Sequence, residues 1–189
     1  MPAFSTADAS ARAVALLREL GAAETAHPGG TLLAHLQRVQ DRLAAWGARP
    51  ALQLAGLCHA FYGTDGFPVA PLPLDRRDEL AEVIGAEAES IVYLYASCDR
   101  KATYPTLADT DASFYDRFTG RVRTPDLGPR RDFAELSAAN ELDLARIDPA
   151  FRARWGAELL ALFSRLRPLL SESAWRECRV VLAEEPGRR

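Results

Sequence analysis

Lysine is almost missing from this chain. Lys101 is the only one, and arginine supplies the rest of the 23 basic residues. Together with abundant alanine, that bias points to a GC-rich bacterial genome rather than to a function. Cysteine is scarce as well. Cys58, Cys98 and Cys178 are scattered, odd in number and without CxxC spacing, which excludes a disulfide framework and a zinc knuckle and leaves them as expected buried thiols. No apolar run reaches the length needed to span a bilayer, and the N-terminus lacks the basic and apolar regions of a secretory signal. A cytoplasmic protein without a membrane partner is the expectation. A broad basic face is also lacking, because the formal charge is −3 and arginine is interleaved with acidic residues. Nucleic acid, whose phosphates would need such a face, is not an expected partner.

What is present is ordinary for a globular protein: 189 residues, 48% apolar and 26% charged. One domain over residues 1–183 is expected, with a disordered tail at 184–189. Apolar residues recur every three or four positions through most of the chain, so the expected fold class is all-α, a helical bundle. A first helix is expected from Thr6 to Leu20. Gly29-Gly30 breaks the chain, Thr31 is placed to cap the next helix, and Leu32, Leu36, Val39, Leu43 and Trp46 form a stripe that ends at Gly47. Pro50 suits the first turn of a third helix, which carries His59 in its last turn and stops near Gly63. The short loop between these two helices makes them antiparallel neighbours. Further helices are expected at Arg76 to Ile84, Ala86 to Ser97, Pro129 to Ile147, Pro149 to Leu166 and Glu172 to Ala183. Lys101 to Gly128 is the least helical stretch, and alternation around Gly120 allows a small β-hairpin near 113–124 or only a surface loop. Asp116-Arg117 and Arg130-Arg131 look like solvated pairs.

All three histidines, His27, His35 and His59, lie in the first third of the chain. With the second and third helices antiparallel, the start of one meets the end of the other, so His35 and His59 approach each other and the loop carrying His27 can fold over them. Three neutral imidazoles make a reasonable site for zinc or iron. The plainer alternative for any one of them is a histidine satisfied by a backbone carbonyl. Tyr93 and Tyr95, with Asp99-Arg100, either project toward the same pocket or, for the tyrosines, belong to the core.

These residues also carry a resemblance. His35 within Leu33-Ala34-His35-Leu36 looks like the first histidine of the HD-domain proteins, and Ala55-Gly56-Leu57-Cys58-His59 resembles the apolar run before their His-Asp pair. The segment Val83 to Tyr95 resembles the helices that follow the motif in hydrolase domains of the bacterial alarmone synthetase/hydrolase family. His-x-x-Tyr-Gly-Thr, His59 to Thr64, is similar to a pattern in uncharacterised HD-like proteins. The match involves residues from about 27 to 147. It implies an HD-like helical bundle and a divalent metal held by histidines and aspartates. Two positions depart from it: Ala60 stands where the pair has aspartate, and Asn140 stands where the distant aspartate would be. Asp65, Glu141 and Asp143 are the candidates to substitute, although Glu141, adjacent to Asn140 on a helix, points about 100° away from it and cannot simply replace it.

The expected function is therefore a small-molecule enzyme on an HD-like scaffold, with either an atypical metal site or metal-free acid–base chemistry. Histidine exchanges protons near neutral pH and tyrosine can assist as donor, which makes His59, His35 and Tyr62 the catalytic candidates. His27, Thr64, Asp65, Tyr93 and Asn140 are the candidates for substrate binding. In the metal version His27, His35 and His59 are the ligands of zinc or iron; in the other version there is no cofactor. Two alternatives remain open: a catalytically silent HD-like protein that binds a small ligand or a protein partner, and an HD-like di-iron oxygenase, which needs more ligands than can be placed. Arginines bordering the pocket would recognise phosphate or carboxylate.

Overall fold

The computed structural model describes residues 5–183. It is an all-α bundle carrying two small antiparallel hairpins. The tail expected to be disordered, 184–189, lies outside the described residues. No helix among them is long and apolar enough to cross a membrane.

Helix α1 (Thr6–Glu19) starts where the Ser5 side chain accepts a hydrogen bond from the Asp8 amide, and α2 (Leu32–Ala45) where Thr31 does the same for Ala34. Such caps satisfy amides that the first turn leaves unpaired. The stripe Leu32, Leu36, Val39 and Leu43 is buried against α3 (Pro50–Cys58), and α2 packs more extensively on α3 than any other pair of elements in the fold. Gly56 permits this approach. A Cβ there would stand 2.5 Å from Leu43 Cδ1. Helix α3 ends one turn earlier than its sequence suggests: His59 is its C-cap, and the chain turns at once instead of continuing to Gly63.

Between α1 and α2 the chain forms a hairpin that periodicity does not reveal, since β1 (Ala26–His27) and β2 (Gly30–Thr31) have two residues each. Pro28 precedes Gly29 at φ +80, the combination a type II turn requires. Gly29 also abuts the Ile147 side chain, which leaves no space for a Cβ.

The 3-10 turn Leu74–Arg76 leads into α4 (Arg77–Ile84), and Gly85 at φ +88 separates it from α5 (Ala86–Ser97). The single turn α6 (Arg100–Thr103) follows, capped by the Asp99 side chain. The hairpin near residue 120 forms, with β3 (Phe114–Asp116) paired to β4 (Arg121–Arg123). It is tied to the end of α5 through Asp99 N to Tyr115 O and Arg117 N to Ser97 O.

Helix α7 (Leu127–Ile147) runs through the middle and touches α2, α3, α5, α8 (Pro149–Arg165) and α9 (Glu172–Leu182). Ala134, Ala138, Ala139 and Ala145 are small enough to let those neighbours close in. Polar residues are buried on the same helix, among them Asn140, Glu141 and Asp143. Of two pairs that looked solvated, Arg117 and Arg131 are exposed but their neighbours are not. Arg130 is buried and Nη1 donates to the carbonyls of Leu107 and Asp109, while the Asp116 carboxylate is buried and accepts from the amides of Phe118 and Thr119.

Candidate functional site

The start of α2, the end of α3, the first hairpin and the middle of α7 meet around a cavity of about 280 Å³. His27, His35, His59, Thr64, Arg100, Asn140 and Glu141 contribute to its lining, with Leu32, Phe67, Leu144 and Phe151 as apolar wall. The His35 and His59 rings are edge to face at 5.3 Å, and His27 lies flat on His35 at 4.1 Å.

Helix α7 fixes His35 at both ends. Asn140 and Asp143 are one turn apart and share a face of the helix. Nδ1 of His35 lies 2.7 Å from Asp143 Oδ2, and Nε2 lies 3.0 Å from Asn140 Oδ1. The amide of Asn140 is oriented by its neighbour, because Nδ2 donates to Glu141 Oε1 at 3.3 Å. Turning it over would set two acceptor oxygens against each other. Each His35 nitrogen therefore lies within hydrogen-bond distance of an oxygen on α7, and both are taken up by the protein.

Asp143 is the counter-ion. Arg38 grips both its oxygens at 2.9 Å, and Arg42 reaches it at 3.4 Å while pairing with Glu177 at 3.0 Å. Glu177 also accepts from the Trp46 indole. Burial alone would raise the Asp143 pKa, but the bonds from His35 and Arg38 override it and hold the carboxyl well below its usual range. His35, Arg38, Arg42 and Trp46 recur at i, i+3, i+7 and i+11, a second stripe on α2 beside the apolar one. That spacing was visible in the sequence and marks a polar helix face directed at a partner.

His59 differs. Its Nδ1 donates to the Gly56 carbonyl at 2.8 Å, so Nε2 carries the lone pair, and that nitrogen has no hydrogen-bond partner among the described residues. Burial, and then the charge on His35, lower its pKa from 6.5 to about 3. The same two causes bring His27 to about 4. Both rings are neutral near pH 7. Arg100 lies beside His59, with Nη1 donating to Glu141 at 3.2 Å and Nη2 to the Tyr95 hydroxyl at 3.0 Å. Two of its five N–H groups are thus engaged by side chains of the described residues.

Thr64 lines the cavity and accepts from the Phe67 amide. Three other candidates are placed differently. Tyr62 is not in the cavity wall: its hydroxyl donates to Glu89, which Arg77 holds bidentately, so the early end of α3 turns this ring away from His59. Tyr93 donates to Asp116 and faces a different cavity. Asp65 accepts from the Arg100 backbone amide and anchors the start of α6 instead of meeting a ligand. Tyr95 is core, with its ring 5.3 Å from that of His59.

The proposed metal ligands also need correction. Among the described residues no group of three or more His, Cys, Asp or Glu is disposed to hold a metal. Both nitrogens of His35 are occupied, and His27 lies stacked flat on that ring instead of pointing a nitrogen toward a centre shared with it. Glu141 and Asp143, the possible replacement carboxylates, are committed to Arg100 and to His35 with Arg38. Zinc or iron on these histidines does not fit.

Fold and site thus define an all-α bundle with a histidine-lined cavity and a buried ion cluster behind it. Residues 16–100, fewer than half of the chain, match a family described as a domain of unknown function, DUF6817. That stretch includes the three histidines and Arg100 but none of α7. No curated protein and no solved structure matches the chain.

Proposed function

We propose that the chain is a small-molecule enzyme on an HD-like scaffold, that its substrate is a small anion, and that it works by metal-free acid–base chemistry. The observation that carries this reading is the unpaired Nε2 of His59, a neutral lone pair held beside the partly engaged guanidinium of Arg100. This nitrogen belongs to a side chain that lines the cavity, so a ligand that enters can supply the bond the protein leaves unmade. The cavity volume is just below the roughly 300–1,000 Å³ of drug-sized sites, which suits a compact metabolite.

In this reading Arg100 and the Thr64 hydroxyl bind a carboxylate or phosphate group, and Leu32, Phe67 and Phe151 exclude water from the rest. A proton on an adjacent carbon or oxygen then passes to His59 Nε2, and the electron pair stays on the substrate. The anion does more than orient. Burial is the main reason that His59 is a weak base, and the charges of His35 and then Arg100 weaken it further; a negative charge beside them offsets their part, so the base is strengthened when substrate is in place. Asp143, Arg38 and Asn140 keep His35 from competing for the proton.

A second reading, a binding protein without chemistry, is favoured by one observation: a base with a pKa of about 3 is weak at neutral pH. The two are separated by titrating ¹⁵N-labelled protein with malonate and following proton exchange into D₂O for a panel of small 2-oxo and 2-hydroxy acids. The enzymatic reading expects malonate to raise the His59 titration midpoint by at least about one unit and at least one acid to exchange only when His59 is present. Binding without exchange in any acid supports the passive protein. Absence of malonate binding, or binding unchanged in Arg100→Met, removes the anion site from both.

A further inference from the structure

A second cavity, of about 770 Å³ and open to solvent, lies between α5, the β3–β4 hairpin and the start of α7. It shares no lining residue with the histidine cavity. Its acids are already committed. Asp132 is held by both terminal nitrogens of Arg49 at 2.8 Å, Glu87 by the same guanidinium at 3.0 Å, and Asp116 by Tyr93 and two backbone amides. Arg77 is committed as well, to Glu89 at 2.6 and 2.8 Å.

Arg121 and Arg123 are not. Among the described residues neither makes an ion pair, and the guanidinium of Arg123 merely overlies the Phe114 ring at 5.4 Å. Their direction follows from the register. Arg121 is opposite Asp116 and Arg123 opposite Phe114, and residues paired across an antiparallel ladder project to the same face. Asp116 and Phe114 are buried, so this is the face toward the protein; Val122 and Tyr115 take the outer one. Two like charges about 7 Å apart along one strand face thus overhang the cavity without a counter-ion. Opposite them is the first turn of α7, a 21-residue helix whose N-cap, Asp126, makes no side-chain capping bond and whose Gly128 and Pro129 line the cavity. Of that turn, Leu127 and Gly128 offer amides to the positive field, since Pro129 has no N–H and the Arg130 amide donates to the Asp126 carbonyl. Below lie Ile91 and Leu94, an apolar floor.

We infer that this cavity binds a small organic phosphate, a monoester or diphosphate. Its phosphoryl oxygens take paired bonds from Arg121 and Arg123 and single bonds from the Leu127 and Gly128 amides, while its organic part rests on Ile91 and Leu94. Guanidinium matches phosphate in geometry and charge, and the volume falls in the range of small-molecule sites.

Calorimetry with inorganic pyrophosphate in low-salt buffer tests the inference. Stoichiometric binding is expected, weakened roughly tenfold or more in the double variant Arg121→Ala/Arg123→Ala, since two charge-assisted contacts are lost. Both side chains are exposed, and circular dichroism checks that the double variant folds. Arg154→Ala, an exposed arginine on α8, should bind like the parent. Arg100→Met should also retain pyrophosphate. No binding at millimolar pyrophosphate, equal binding in the double variant, or loss in Arg100→Met with none in the double variant would each overturn the assignment, the last by sending the anion to the histidine cavity.

Discussion

The two ends of the histidine cavity treat the same side chain in opposite ways. At the α7 end His35 has both nitrogens bonded, its counter-ion Asp143 is gripped by two arginines, and Glu177 closes the cluster. At the α3 end His59 has one nitrogen bonded to its own helix and the other without a partner. Burial is alike at the two ends, with 1% of His35 and 3% of His59 exposed. Burial therefore does not distinguish the two; bonding capacity does. A buried charge survives only when its hydrogen bonds are satisfied, so His35 is committed to structure and the capacity for chemistry remains at His59.

The largest effect should come from the saturated end. Asp143→Ala leaves His35, Arg38 and Arg42 without their shared counter-ion, and removing one partner of a buried ion cluster costs about 3–5 kcal/mol. Urea denaturation measures this, and a loss below about 1 kcal/mol would show that the cluster around Asp143 does not hold the fold together. His59→Ala should do the reverse. Exchange activity should fall about a hundredfold, as for loss of a general base, with a modest change in denaturation midpoint; unfolding with activity retained would end the comparison.

Acid should then reveal His59 through stability. Its folded pKa, about 3, lies below the ordinary 6.5, so the unfolded chain takes up the proton first as pH falls. Its contribution is complete above pH 6.5 and is lost progressively toward pH 3, at up to about 1.4 kcal/mol per pH unit. His27 acts in the same sense down to about pH 4. Asp143, whose pKa is also depressed, adds its own loss below the usual carboxylate range. Melting curves of His59→Gln between pH 6.5 and 4.5 should be flatter than those of the parent. The smallest effect belongs to Tyr62→Phe. It removes one hydrogen bond to Glu89, worth about 1 kcal/mol, and should leave exchange unchanged because the hydroxyl faces away from the cavity.

Local signals were the legible part of the fold. Thr31 before an apolar stripe, Pro50 at a first turn and Gly85 between two helices each mark a boundary by a rule that operates over a few residues, and the structure has those boundaries. Proximity of His35 and His59 followed from a short loop joining two helices. The clamp on His35 did not follow, since Asp143 and Asn140 lie more than a hundred residues away and no local spacing encodes which helix face arrives there. Tyr62 was misplaced for a related reason. One fewer turn of α3 rotates every later side chain, and the capping role of His59 is a tertiary outcome.

The separation in sequence between His35 and its clamp also has a consequence during synthesis. His27, His35 and His59 leave the ribosome well before α7 exists, and until Asn140 and Asp143 dock, three imidazoles sit within 33 residues with their lone pairs free. The nascent or unfolded chain is therefore a better zinc chelator than the finished protein, in which His35 has no nitrogen to offer. A ligand that prefers the unfolded chain shifts the balance toward it. Added zinc should accordingly lower the melting temperature and slow refolding, with chelator restoring both.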